Sequence, residues 1–166
     1  WNEVEYEALG ENFKNRGRRS EEQIDLLRRL WKDEAISFDG EWHKVTDAGL
    51  NPLPAKRHIP IWLGGLAPAV IDRVGRIADG WFPFVNKNLT SQIKQVHEVA
   101  KTAGRNPADI GIECIVPVGS DVDFLKSLQD QGVTQFALVT MNIGLKDPQA
   151  HIDAIKKARE TLEGFF

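Results

Sequence analysis

The sequence predicts an α/β fold organised around a parallel sheet. From Pro60 onward, strand-like apolar runs alternate with amphipathic segments, and cap and turn residues separate one from the next. The first of these runs, Ile61 to Leu63, passes directly into Gly64-Gly65 and then into a helix opened by Pro68. Repeated strand-helix units need right-handed crossovers, so the sheet is either doubly wound or part of a (β/α) barrel. A complete barrel has eight units and roughly 250 residues, whereas this chain of 166 residues carries four.

Residues 1–35 read as a helical segment. Asn2 and Glu5 stand at capping-box spacing, and Gly10 is placed to end the first helix. A longer helix begins near Phe13 or at the Ser20/Gln23 pair and directs Ile24, Leu27, Leu30 and Trp31 toward a core. Residues 36–60 read as an inserted segment. Ile36 to Val45 predicts a β-hairpin around Asp39-Gly40, with Phe38 and Trp42 available to pack across it. An extended connector with Pro52, Pro54 and Pro60 follows.

Residues 61–166 carry the four β-α units, and residues 1–166 as a whole are expected to form a single partial domain. A helix over about 68–78 has Val70, Ile71, Val74 and Ile77 on one face, and Gly80 to Phe82 is a very short strand. The next helix starts near Thr90, buries Ile93, Val96, Val99 and Ala100, and stops at Gly104. Gly111 to Pro117 is a strand, Ser120 or Asp121 caps a helix carrying Val122, Leu125 and Leu128, and Gly132 ends it. Val133 to Thr140 is predicted to be the longest strand. Asp147-Pro148 opens the last helix, whose Ile152, Ile155 and Leu162 are expected to face inward.

Composition excludes several classes of function. The chain is 42% hydrophobic and 27% charged, which is ordinary for a globular protein. A net charge of −3 with dispersed basic residues leaves no electrostatic footprint for nucleic acid or an anionic membrane, and no stretch approaches the length of a membrane span. A lone cysteine, Cys114, sits in an apolar run and reads as core filling in a cytosolic protein. Trp1 in place of an initiator methionine is expected of a piece of a longer polypeptide.

The best candidate for chemistry is the glycine pair. Gly64 and Gly65 leave room at the carboxyl end of a strand, and the helix that follows directs free backbone N–H groups and a positive dipole end at an oxyanion. The alternative is a plain tight turn. A rival anion site at Gly119-Ser120 has Asp121 and Asp123 in the first helical turn, where their charge opposes a phosphate, while the helix after Gly65 has no acid before Asp72. The histidines His43, His58, His97 and His151 lack metal-ligand spacing, so no metal site is expected. Glu113, inside a strand, either faces a barrel interior or makes a salt bridge to a covering helix, and the second is preferred. Trp81, Phe82, Thr140 and Met141 fall at strand carboxyl ends; Trp81 serves equally well as a pocket wall or as core.

Several segments taken together resemble the bacterial luciferase-like superfamily of flavin- and deazaflavin-dependent oxidoreductases. They are Trp1-Asn2-Glu3-Val4-Glu5 with Leu9-Gly10, Arg16-Gly17 with Leu30-Trp31, Phe38-Asp39-Gly40 with Trp42, Asn51-Pro52 and Pro54, Pro60 through Gly65 with Pro68-Ala69, and Ala78 through Pro83. The resemblance implies the C-terminal half of a (β/α)8 TIM barrel, four parallel strands plus an inserted β-hairpin segment. It also implies that Gly64, Gly65, Leu66 and Ala67 approach the phosphate of FMN or coenzyme F420, with F420 preferred, that Trp1 and Asn2 border the same phosphate, and that Trp81 lies near the cofactor. The first four barrel strands of the family are missing, so the catalytic residues are expected upstream of Trp1 and the chain alone is expected to be inactive.

The expected function is hydride transfer or monooxygenation of a small organic substrate by the intact enzyme. The alternatives are a different phosphate-binding barrel enzyme or a non-catalytic assembly module. Unpaired terminal strands and an exposed apolar inner face lead to the expectation of a homo-oligomer.

Overall fold

A computed structural model describes residues 2–165 of the chain. The chain forms two compact units that meet in sequence between Ile61 and Trp62.

In the first unit, helix α1 (Glu3–Ala8) is followed by a single 3-10 turn at Phe13–Asn15 and then by α2 (Arg16–Lys32). Asn2 is the N-cap residue of α1, but its side chain accepts no backbone N–H; instead its Nδ2 donates to Glu5 at 3.4 Å. Of the two starts open for the long helix, the earlier is the one formed. Ser20 lies inside α2 and its hydroxyl donates to the Gly17 carbonyl at 2.8 Å. Ile24 is buried, whereas Leu27, expected to face a core, is exposed.

The hairpin forms from β1 (Ile36–Asp39) and β2 (Lys44–Ala48), paired antiparallel. Its turn is not a two-residue turn at Asp39-Gly40. Glu22 on α2 takes its place as the organising group: its carboxylate accepts the backbone N–H groups of Glu41 (2.6 Å), Trp42 (3.0 Å) and His43 (2.8 Å). The His43 Nδ1 lies 2.7 Å from the same carboxylate. Partial burial would raise the Glu22 pKa, but the His43 ring and the backbone donors of Trp42, Glu41 and His43 outweigh it and hold the carboxyl below its ordinary value. Glycine at position 40 is a matter of space, since a Cβ there would sit 2.5 Å from the Glu22 carboxyl carbon.

The second unit is a four-stranded parallel sheet in the order β3 (Trp62–Gly64), β4 (Gly80–Phe82), β5 (Gly111–Pro117), β6 (Gln135–Val139). The sequential order is what right-handed crossovers through α3 (Pro68–Ile77), α4 (Leu89–Thr102) and α5 (Val122–Asp130) produce. The first strand starts one residue later than predicted. The last is shorter than β5, because Val133 and Thr134 belong to the turn leading in: the Val133 N–H closes α5 on Leu128, and Thr134 bonds Ile112 across to β5. Asp121, the later of the two cap candidates, accepts the Phe124 N–H at 2.7 Å.

One face of the sheet carries the core. Leu63, Trp81, Ile112, Cys114, Val116, Phe136 and Leu138 alternate toward the helices and pack with Ile71, Val74, Leu89, Ile93, Val96, Leu125 and Leu128. Burial of this apolar surface is the main stabilising term. Cys114 is core filling, and burial pushes its thiol up to about 11, with Glu113 adding in the same direction. Arg105 fastens the helix layer by donating to the carbonyls of Val74 (3.3 Å), Gly75 (2.8 Å) and Ala78 (2.6 Å) at the end of α3, the first of which also accepts the Ala78 N–H at 3.1 Å.

The opposite face carries Trp62, Phe82, Glu113, Ile115, Gln135, Ala137 and Val139. Trp62 lies flat across Gly80 and Gly111, where added Cβ atoms would come within 2.1 and 2.4 Å of its ring, and it contacts Phe82 with centroids 5.1 Å apart. Glu113 stands here, corrected from its expected place against a helix: the neighbouring Ile112 and Cys114 take the helix side, and a two-residue period puts Glu113 opposite them. The last helix, α6 (Pro148–Thr161), opens at Asp147 as predicted, with Asp147 accepting the Ala150 N–H at 2.9 Å. Its Ile152 and Ile155 are 47% and 52% exposed, contrary to expectation. Only its C-terminal end, through Ala158, Leu162 and Phe165, reaches the core.

Candidate functional site

Parallel strands bring their carboxyl ends to one edge of the sheet, the position at which such folds hold ligands. The bend from Gly64 to Ala67 lies at that edge, between β3 and the first turn of α3. Gly64 ends the strand in an exposed position, and the nearest atom to a Cβ built on it is the Phe82 carbonyl at 4.0 Å. Packing therefore does not require glycine there. Gly65 has φ +114°, a conformation that L side chains rarely adopt, and this turns the chain out of the strand.

Leu66 directs its side chain into the core, and Ala67 is the N-cap residue of α3 with extended backbone. Among the described residues, the N–H groups of Leu66 and Ala67 donate to no backbone carbonyl. Pro68 holds the first helical position, where it has no N–H to leave unpaired, and no acid stands in the first turn. The bend thus combines open space, two undirected amides and a helix N-terminus.

Trp81 holds this bend from beneath. Its side chain is completely buried, and its Nε1–H donates to the Gly65 carbonyl at 2.9 Å. The sequence leaves open whether Trp81 walls a pocket or fills the core; in the fold it packs on the helix side, with Gly80 and Phe82 on the other face. Its link to the site is through Gly65. Phe82, 38% exposed, faces away from the helices beside Trp62.

Gly64, Gly65, Leu66, Ala67 and Trp81 are thus brought together within the second unit. Asn2 belongs to the first unit, at the start of α1, and Trp1 lies outside the described residues. At the rival junction the Asp121 carboxylate already occupies the helix N-terminus. Thr140, expected at a strand carboxyl end, follows β6 directly, and its Oγ1 lies 2.8 Å from Nδ1 of His151 on α6, a pairing that the sequence does not show. The position of His151 in the first turn of α6, the helix that follows β6, is the one signal the sequence offers. Among the described residues no group of His, Cys, Asp and Glu is arranged to hold a metal ion, and no helix is long and apolar enough to cross a membrane.

Comparison with known proteins places this geometry in context. The F420-dependent glucose-6-phosphate dehydrogenase of Mycolicibacterium gilvum is 30% identical over 122 residues, covering 71% of this chain and 36% of the relative. The FMNH(2)-dependent dimethylsulfone monooxygenase of Pseudomonas putida is 29% identical over 178 residues, covering 98% and 48%. An uncharacterized protein of Mycobacterium tuberculosis is 36% identical over 136 residues, covering 78% and 45%. The chain therefore spans about half the length, or less, of these relatives.

Among solved structures, an F420-dependent secondary alcohol dehydrogenase bound to an F420–acetone adduct superposes with TM-score 0.76 at 14% identity, covering 95% of this chain and 66% of that one. The monooxygenase RslO1 from Streptomyces bottropensis gives 0.75 at 15% identity, covering 100% and 67%. These likenesses show the fold, a partial (β/α) barrel. The sequence model of the luciferase-like monooxygenases matches residues 1–126, and the chain belongs to that family.

Proposed function

We propose that this chain is the cofactor-phosphate-binding part of an oxidoreductase that uses reduced FMN or coenzyme F420 on a small organic substrate, with F420 preferred. One observation carries the reading. At the Gly64–Ala67 bend, a glycine that packing does not require sits beside two amides without backbone acceptors and a helix N-terminus free of acid. Such a cradle suits a phosphate or phosphodiester, whose charge the dipole and amides favour by about 1–2 kcal/mol. The F420- and FMNH(2)-dependent names of the relatives support the choice of cofactor.

When bound, the cofactor supplies the hydride or the reduced ring that activates dioxygen. The part played by this chain is positional. Leu66 and Ala67 N–H groups hold the charged tail, Gly64 gives it room, and Trp81 keeps the Gly65 carbonyl turned inward so that the amides point out. Groups that act on the substrate are assigned to polypeptide outside this chain, so the chain alone has no turnover. A cytosolic setting is part of the reading, supported by the buried free thiol of Cys114.

The test is titration of the chain with FMN and with riboflavin, which differ by the phosphate alone, and with F420. FMN is expected to bind more tightly than riboflavin. Gly64→Ala should lower FMN affinity about 10- to 100-fold, the loss of one or two charged hydrogen bonds, while leaving riboflavin affinity and the melting temperature unchanged. Equal affinity for FMN and riboflavin, together with no F420 binding, would remove the cofactor reading.

A further inference from the structure

We propose that the turn at residues 40–43 is a receptor for a carboxylate, with Glu22 of α2 as its tethered ligand, and that this contact docks the turn end of the hairpin on the helix. Every group involved lies in the first unit, apart from the glycine bend and the cofactor reading.

The two carboxylate oxygens are read separately. Oε2 accepts the Glu41 N–H at 2.6 Å, and Oε1 accepts the His43 N–H at 2.8 Å and lies 2.7 Å from the His43 Nδ1. The Trp42 N–H stands between them, 3.0 Å from Oε1 and 3.3 Å from Oε2. Three consecutive amides turned on one group make a nest, which holds anions through its aligned dipoles. The imidazole is set as a fourth donor. The Gln23 amide nitrogen, 3.3 Å from the His43 Nε2, has only hydrogens to give, so Nε2 accepts and Nδ1 carries the proton aimed at the carboxylate. A fork of this kind fits a planar group with two oxygens and is poorly filled by a spherical halide.

The turn is shaped around this ligand. A Cβ on Gly40 would come 2.5 Å from the Glu22 carboxyl carbon and 2.6 Å from the Phe38 ring, so the missing side chain lets the carboxylate lie against the backbone. The Gly40 N–H, 2.9 Å from the His43 carbonyl, closes the turn and leaves the next three amides to Glu22. Apolar burial is slight at this end. Along the hairpin Ile36 is buried, Phe38, Trp42, His43 and Val45 are half-buried, and the other residues are exposed. What α2 adds along the hairpin is charge: Arg18 lies over the Trp42 ring at 5.5 Å and 3.8 Å from the Glu41 carboxylate, and Arg29 lies over Phe38 at 5.2 Å.

Rescue of Glu22→Ala by acetate is the experiment. The substitution removes Cγ and the carboxylate, and acetate has the shape of what is removed. Amide hydrogen exchange of the whole chain at neutral pH gives the readout. In Glu22→Ala the Glu41, Trp42 and His43 amides should exchange about 10- to 100-fold faster, as expected when hydrogen bonds to a charged group are lost. Sodium acetate should slow them again along a saturable curve, and sodium chloride at the same ionic strength should not. Adding His43→Ala should raise the acetate needed for equal recovery about tenfold. Unchanged exchange in Glu22→Ala, no recovery with acetate, equal recovery with chloride, or an acetate requirement indifferent to His43 would overturn the proposal. Should Glu22→Ala fail to fold, refolding decides: recovery of circular dichroism with acetate and not with chloride supports the receptor, and failure with both rejects it.

Discussion

Replacing Trp81 by phenylalanine separates the support of the glycine bend from the bend itself. The substitution removes the Nε1–H that donates to the Gly65 carbonyl at 2.9 Å and leaves a smaller ring in a site with no solvent exposure. An acceptor losing its only strong donor away from water costs about 1–3 kcal/mol. The smaller ring gives up a few buried heavy atoms, worth about 1–2 kcal/mol as transfer and cavity cost together. The sum, about 2–5 kcal/mol, is a large part of the 5–15 kcal/mol typical of a domain but need not unfold it.

Urea unfolding followed by circular dichroism measures the first quantity, and FMN titration of the folded variant measures the second. With its carbonyl released, Gly65 is free to rotate its peptide plane, so FMN affinity should fall while riboflavin affinity stays level. A stability change below about 0.5 kcal/mol, within the scatter of neutral surface substitutions, would refute the claim that this hydrogen bond fixes the bend. A large loss of stability with FMN binding intact would show that Trp81 is core and nothing more.

Two further outcomes test the scaffold. Arg105→Ala should destabilise the second unit by about 2–4 kcal/mol, because three carbonyls at the end of α3 lose a charged donor; Arg105→Lys should recover only part of this in thermal unfolding, since one ammonium cannot reproduce the fork. Glu22→Gln should loosen the hairpin at neutral pH. The Glu22 carboxyl titrates lower in the folded chain than in the unfolded one, so its stabilising contribution is present above the usual value of 4.5 and fades as pH falls through the folded value. The gap in melting temperature between wild type and Glu22→Gln is therefore expected to be widest near pH 7 and to close in strong acid; a gap independent of pH would refute the assignment.

What the sequence determined by itself was whatever short-range chemistry encodes. Alternating strand and helix periods set the parallel sheet, Pro68, the Ser120-Asp121 pair and Asp147 set the helix starts, and Gly64-Gly65 marked the bend, since each depends on neighbours within one turn of chain. The family segments at residues 1–5, 60–65 and 78–83 were legible for the same reason. Tertiary structure decided matters that depend on which surface meets which. The faces taken by Trp81 and Glu113 follow from which side of the sheet the helices cover, a choice that alternation within their own strands leaves open. Glu22, nineteen residues before the first amide it binds, shapes a turn whose own residues suggested a tighter one. Ile152 and Ile155 have the period of a buried stripe but remain open, because amphipathic spacing states that a helix has an apolar side and says nothing of what arrives to cover it.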